Sequence, residues 1–351
     1  MDNDIYKSDY FYDLPQDLIA KYPLKERTMS KLLCLDKSDY RIVNFPDIVK
    51  KLDRNDLLVI NETKVFQARL ELNKKTGGRV EILIVEKINK FTANCLTRGL
   101  NKKLLKQRLF SAKFPLDIKI ITSSDNKFTR IEFSQSIDKI CSTIGSMPIP
   151  PYLKRQGEQI DEERYQSVFS NNKYNNSVAA PTASLHFDKE LLIKLSEETT
   201  IAKISLDVGY GTFQPIKSNK IPIESTLHTE NFYIPKNINK EIKKCRSNGG
   251  RVIALGTTTL RALESAYNVV KKEMNTGHQS TDIFIKDGYK FKVVDSLITN
   301  FHLPESSLLM LVCAFGDKSN VMNAYEYAIK NKLRFFSYGD AMLIEKCLSK
   351  F

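Results

Sequence analysis

The residues from Phe291 to Phe315, FKVVDSLITNFHLPESSLLMLVCAF, constrain this chain most, because they read as a strand, a polar loop and a helix in immediate succession. Phe291, Val293 and Asp295 alternate with Lys292, Val294 and Ser296, the period-two pattern of a strand ahead of a turn. The loop starts at Thr299. Pro304 suits the first position of a helix, where the N–H it lacks would be unpaired anyway, and Glu305 in the first turn faces the positive end of the helix dipole. Asn300 and His302 then sit just before a helix start, the place where open α/β sheets bind ligands. From these residues alone, a buried histidine that only satisfies backbone carbonyls explains the loop equally well.

Two further junctions have the same form. In Val178–Leu195, VAAPTASLHFDKELLIKL, Asp188 is an N-cap, Glu190 lies in the first turn and Leu191, Leu192 and Leu195 supply an apolar face. His186 then precedes a helix N-terminus, which favours the neutral imidazole that can accept a proton; a capping histidine is the competing reading. In Arg251–Ala266, RVIALGTTTLRALESA, a buried strand ends at Gly256 and the threonines cap a helix. Thr257 and Arg261, four apart, are expected on one side of it, where hydroxyls and a guanidinium suit a carboxylate or ribose hydroxyls. Ile204–Ile216, ISLDVGYGTFQPI, is a strand followed by a glycine turn; it lacks the third glycine and the helix of a dinucleotide fingerprint.

Elsewhere the texture differs. Leu14, Leu18 and Ile19 predict a helix capped by Asp13 and ended by Pro23, and Leu32–Leu35 a strand. From about residue 65 to 150, alternating segments such as Arg79–Glu86 and Lys127–Phe133 are separated by Gly, Asn, Asp and Ser clusters, the mark of short antiparallel strands. MPIPPY at 147–152 reads as the linker back. The expected fold is α/β, a mixed sheet with flanking helices formed by 1–64 and 151–351, plus a smaller inserted all-β barrel domain at 65–150. A helix at Asn323–Lys332 precedes the turn Tyr338-Gly339-Asp340, where Asp340 reads equally as a turn residue.

The chain has 351 residues and a formal charge of +13, which draws it towards polyanions, although lysine is abundant throughout. Arg98, Lys102, Lys103, Lys106 and Arg108 cluster between barrel segments, either as a solvated face or against RNA phosphates. Six scattered cysteines with no C-x-x-C pair exclude a zinc ribbon and fit a reducing cytoplasm. The four histidines lack metal spacing, and there is neither a P-loop nor a G-x-S-x-G elbow. No signal peptide or membrane span is expected.

VVDSLITNFHLPESSLLMLVCAF, together with RFFSYGDAMLI at Arg334–Ile344, closely resembles the bacterial S-adenosylmethionine:tRNA ribosyltransferase-isomerase family of queuosine biosynthesis, and the likeness runs through nearly the whole chain. It covers the Pro-x-x-x-Arg element ending at Arg27, Asn61 with the downstream Arg69, and Gly77-Gly78 before Glu81. It covers also Pro-x-Pro-Pro-Tyr, the His186 segment, Val-Gly-x-Gly-Thr-Phe at Gly209, Gly211 and Thr212, and His228. The chain departs from the family pattern at Glu62 (Asn), Ser184 (Gly), Asp207 (His) and Tyr210 (a small residue).

The resemblance implies an enzyme that uses S-adenosyl-L-methionine as co-substrate, with no permanently bound cofactor and no metal. The ribosyl moiety would pass to 7-aminomethyl-7-deazaguanine in the wobble position of tRNA and rearrange to an epoxycyclopentanediol, with release of adenine and methionine. The implied partner is that tRNA, the setting cytoplasmic and the chain a monomer. His186, His302 and His228 are the implied catalytic candidates. Thr257, Thr258, Arg261, Gly209, Gly211, Thr212 and Asn300 would hold the co-substrate, and Asn61, Arg69, Glu81, Arg27, Tyr338 and Asp340 the RNA. The four departures leave an alternative, a catalytically drifted tRNA- or nucleotide-binding relative.

Overall fold

The computed structural model describes residues 4–36, 39–111, 114–121, 128–213 and 215–346. Nine strands form one mixed sheet, in the order Gly277–Thr281, Glu230–Ile234, Thr200–Leu206, Leu57–Asn61, Val252–Leu255, Ser296–Asn300, Ala341–Glu345, Lys31–Asp36 and Asp39–Asn44. The four strands from Thr200–Leu206 to Ser296–Asn300 in that order run parallel.

Those central strands are apolar on both faces, as a parallel sheet covered on two sides requires. Leu57 and Val59 face a core that includes Leu260 and Leu263 of the helix Thr257–Ala266, Leu309 and Val312 of Ser307–Gly316, and Val321 and Tyr325 of Lys318–Lys330. Leu58 and Ile60 point the other way, against Leu191 and Leu195 of Lys189–Glu198 and against Phe45 and Ile48.

A second sheet closes on itself. Arg69–Lys74 pairs with Arg79–Lys87, and its far end returns to Lys106–Phe110 through Asn73 opposite Phe110 and Lys74 opposite Leu109. Thr92–Arg98, Thr129–Phe133 and Pro115–Ile121 complete the barrel. Pro115–Ile121 alternates exposed and buried residues along its length, the pattern expected when one face lines a barrel interior. The helix Ile137–Ile144 packs on this second core through Ile137, Ile140 and Cys141. On this topology we propose the division into an α/β unit, 1–64 with 151–351, and an inserted barrel, 65–150.

Several local expectations shift. The strand before His302 starts at Ser296, because Phe291 to Asp295 cross over the sheet end: three successive N–H groups, of Lys292, Val293 and Val294, donate to Glu264 at 2.8, 3.0 and 3.0 Å instead of to a neighbouring strand. The helix after it starts at Ser307, capped by Ser306 accepting from the Leu309 N–H at 3.2 Å; Glu305 stays outside it with φ 59° and pairs with Lys7. Asp188 caps Lys189–Glu198 as expected. The segment after Asp13 makes only the 3₁₀ turn Gln16–Leu18. The predicted helix at Asn323–Lys332 begins at Lys318 and ends at Lys330. Lys127, at the start of one predicted strand, and Cys347 lie outside the described residues.

At the amino ends of the parallel strands Arg251 ties the sheet together. Its backbone N–H and Nη2 donate to Asp56 at 2.8 and 2.5 Å, and Nη1 to Glu345 at 2.8 Å, which in turn accepts from Ser296 Oγ at 2.6 Å. Burial alone would raise the Asp56 pKa, but the Arg251 contacts outweigh it and hold the carboxyl below its ordinary value. The pair therefore contributes stability above the ordinary carboxylate pKa that is lost as pH falls below it. Asp56→Ala is expected to lower the unfolding free energy in urea by about 2–3 kcal/mol at pH 7, since it strands Arg251 and two backbone donors. A loss within 0.5 kcal/mol would show the latch to be idle.

Candidate active site

The carboxyl ends of the parallel strands border a cleft with about 670 Å³ of open space. Three turns meet there: Ala180–Ala183, Gly256–Thr258 and Thr299–Ser306, joined by Val208, Thr212, Tyr152, Phe336 and Ser337. These are the turns ahead of the helices near Asp188, Thr257 and Pro304, so the three junctions do open onto one hollow. Gly256 is the residue before the helix and has φ 89°, a conformation costly for any side chain, while an added Cβ would meet nothing closer than 3.5 Å. Glycine is therefore required there for backbone shape rather than for space.

Among the described residues, His302 is the histidine that lines the cleft. Its Nε2 lies 2.8 Å from Thr299 Oγ1, its N–H donates to Tyr325 Oη at 3.0 Å, and its carbonyl accepts from Tyr12 Oη. Burial lowers its pKa to about 3, so the imidazole is neutral. Asn300 also lines the cleft. Its Nδ2 donates to Phe336 O at 2.9 Å and to His186 Nε2 at 3.2 Å, and its Oδ1 is buried with no partner in the protein.

His186 stands behind Asn300, outside the cleft and stacked on Phe45 at 4.8 Å. Because Nε2 accepts from Asn300, Nδ1 carries the proton and donates to Ser30 Oγ at 2.8 Å. Its pKa is lowered to about 4, chiefly by burial, which the charges of Arg334 and Arg27 reinforce. The chain Ser30, His186, Asn300 thus fixes which way the carboxamide points.

Thr257 and Thr258 border the cleft, but Arg261, one turn on, does not. A buried guanidinium needs a carboxylate, and Glu230 supplies it from the neighbouring strand through an ion pair with Nη1. Burial would raise the Glu230 pKa, yet Arg261 and the contacts from His228 and Gly209 bring it down to about 2. Glu230 Oε1 also accepts from the Gly209 N–H at 2.9 Å and Thr212 Oγ1 at 3.3 Å and contacts His228 Nε2 at 3.1 Å. His228 braces the glycine loop from outside the cleft, so closely that a Cβ on Gly211 would lie 2.0 Å from its Nδ1.

The RNA-contact candidates are spread further. Asn61 is buried and spent on Leu206, on the Thr63 N–H and on Thr258. Arg69 and Glu81 form an ion pair across two barrel strands. Tyr338 Oη donates to Asp161 at 2.6 Å, and Asp340 accepts from the N–H groups of Lys31 and Arg334, both at 2.7 Å. Arg27 is half-buried beside His186. In the basic cluster, Arg108 is bound by Asp117 at 2.6 and 2.8 Å. Of the departures, Tyr210 packs on the barrel core, Glu62 accepts from Asn171 at 3.2 Å, and Asp207 has its pKa raised by burial near Thr63. Ser184 is fully buried and its Oγ lacks a partner.

Glu230 and Ser30 escaped the sequence reading. Glu230 alone was signalled, since it lies two residues after His228 in an extended segment, hence on the same face. Ser30 meets His186 only across 156 residues. Among the described residues no group of three or more His, Cys, Asp or Glu could hold a metal ion, and no helix is long and apolar enough to cross a membrane.

The sequence profile of the family described as "Queuosine biosynthesis protein" matches residues 7–344. A protein of Acinetobacter baumannii named S-adenosylmethionine:tRNA ribosyltransferase-isomerase is 45% identical over 341 residues, covering 97% of this chain and 98% of its own. One of the same name from Buchnera aphidicola subsp. Schizaphis graminum is 44% identical over 347 residues, covering 97% of this chain and 96% of its own. The crystal structure of S-adenosylmethionine tRNA ribosyltransferase from Thermotoga maritima is similar with a TM-score of 0.54 and 32% identity, over 96% of this chain and 100% of that one. Full-length matches at this level of identity place the chain in the S-adenosylmethionine:tRNA ribosyltransferase-isomerase family of queuosine biosynthesis.

Proposed function

We propose that this protein transfers and isomerises the ribosyl moiety of S-adenosylmethionine onto 7-aminomethyl-7-deazaguanine at the wobble position of tRNA. The products are epoxyqueuosine-tRNA, adenine and methionine, and the setting is the cytoplasm. The observation that carries this reading is the cleft, where a neutral imidazole, an acceptor with no protein partner and a helix N-terminus meet. Asn300 Oδ1 would accept a hydrogen bond from the co-substrate, and Thr257 and Thr258 would meet its polar groups. Thr212 and the glycine loop, held by Glu230, would close one side.

The sulfonium acidifies the C5′ hydrogens beside it. With Nε2–H donating to Thr299 Oγ1, His302 Nδ1 is free to take that proton, and the imidazolium so formed is the donor that can pass it to the departing adenine. His186 acts through Asn300 and so as a positioning residue, and His228 as a brace for the glycine loop.

Adenine release from S-adenosylmethionine and tRNA carrying the deazaguanine base, followed by chromatography, tests the reading; tRNA binding without adenine would favour the drifted relative. His302→Ala is expected to slow release about 10²–10⁴-fold at saturating co-substrate. His186→Ala should chiefly raise KM for S-adenosylmethionine, by about tenfold, as the Asn300 carboxamide is freed. Full activity in the His302 variant would remove it as the base.

The neutrality of both imidazoles has a cost in acid. With folded pKa values of about 4 and about 3 against 6.5, the unfolded chain binds more protons below 6.5, so the stability present above 6.5 falls as pH drops towards 4. Each histidine contributes up to about 1.4 kcal/mol per pH unit to that slope. Urea unfolding between pH 7 and pH 4 should show a slope that His186→Gln/His302→Gln makes distinctly flatter. An unchanged slope would mean that neither ring is held neutral.

A further inference from the structure

Beside His186 lies a second, smaller and shallow hollow, open to solvent, which shares only Ser337 with the cleft. Arg27 and Arg164 line it, and the charges of Arg27 and Arg334 both reach His186 on its wall. All three guanidinium groups are tethered by backbone carbonyls. Arg27 donates to Glu163 O at 2.8 Å, Leu185 O at 3.3 Å and Arg164 O at 3.5 Å; Arg164 donates to Lys25 O at 3.1 Å, and Arg334 to Tyr22 O.

Among the described residues, none of the three has a carboxylate oxygen within 4.0 Å. Glu26 borders the hollow but is exposed. Arg164 Nε and Arg334 Nη1 are buried with no hydrogen-bond partner at all. The other strongly engaged arginines, Arg155, Arg251 and Arg261, each have a carboxylate. Carbonyl tethers orient a guanidinium without neutralising it, so Arg27 and Arg164 face one hollow as like charges with Arg164 Nε unspent, while the charge that acts on Arg334 is Asp340.

We propose that this hollow is an oxyanion site that takes a backbone phosphate of the RNA substrate, an inference that rests on the reading of the chain as a tRNA-modifying enzyme. Planar guanidinium forks match phosphate oxygens, and the unspent Arg164 Nε is the donor such a group would use. His186 lines the hollow and not the cleft, so an RNA strand phosphate would reach the hollow from outside while the wobble nucleoside enters the cleft.

The test compares wild type with Arg164→Gln and Arg164→Lys. Affinity for tRNA carrying the deazaguanine base is measured by fluorescence anisotropy across a salt series, S-adenosylmethionine affinity by calorimetry, and Tm with and without millimolar inorganic phosphate in a phosphate-free buffer. Arg164→Gln is expected to weaken tRNA binding about tenfold at 0.1 M salt and to reduce the slope of log K against log salt by about one, with Arg164→Lys recovering part of both. Co-substrate affinity should not change. Inorganic phosphate should raise the Tm of wild type and not that of Arg164→Gln, a readout that a folding defect alone does not produce.

An unchanged salt slope overturns the proposal. So does a loss of S-adenosylmethionine affinity with tRNA binding intact, which would assign the hollow to the methionyl carboxylate. Absence of any phosphate effect on wild type also overturns it. Failure of wild type to release adenine would instead sink the enzymatic reading, while the salt slope and the Tm shift still report on the hollow.

Discussion

The parallel pairing of Thr200–Leu206, Leu57–Asn61, Val252–Leu255 and Ser296–Asn300 is the constraint on which the other features depend. Parallel strands put all their carboxyl ends at one edge of a sheet, and each chain leaving that edge must turn within a few residues to return through a helix. The turns after Leu206, Leu255 and Asn300 are thereby brought side by side although they are far apart in sequence. The opposite edge carries the Arg251 latch to Asp56 and Glu345. One end of the sheet is thus fastened by charge pairs within it, and the other is left with open polar groups.

Around the cleft the polar side chains fall into two sets. Thr257, Thr258, Asn300 and His302 face it, while behind them Ser30 and His186 hold Asn300, and Glu230, Arg261 and His228 hold the glycine loop. The low dielectric of the interior explains why the second set is largely paired, Arg261 Nη2 excepted, since an unpaired buried polar group costs more than the bond it forgoes returns. It also makes the exceptions informative. Asn300 Oδ1 is unpartnered on the cleft wall, and Arg164 Nε and Arg334 Nη1 are unpartnered near the second hollow.

Burial also separates groups that look alike in sequence. All four histidines were comparable candidates or bystanders by residue type, yet His302 lines the cleft, His186 is one residue removed from it, and His228 supports a loop. Asp207, Tyr210, Glu62 and Ser184, where the chain departs from its family's pattern, are accommodated by Thr63, the barrel core, Asn171 and a fully buried turn respectively. The barrel's lysines and arginines are in part neutralised by cross-strand carboxylates, as at Arg108 with Asp117 and Lys119 with Glu132.

Apolar periodicity and turn chemistry are local properties, and they were enough to determine an α/β sheet, an inserted barrel, the Asp188 cap and the three polar loops that precede helices. Element limits were less legible where a distant group captured the backbone: Glu264 takes the N–H groups of residues 292–294, which shortens the strand that the alternation at Phe291 suggested. The roles of charged and imidazole side chains were decided only by the tertiary structure. By sequence Arg261 suits a carboxylate or ribose hydroxyls, but Glu230, 31 residues away, is brought against it, and His186 suits either a base or a cap, but Asn300 stands between it and the cleft. The physical reason is that a titratable group takes its charge state and its partners from burial and from neighbours distant in sequence, neither of which exists before the chain is folded.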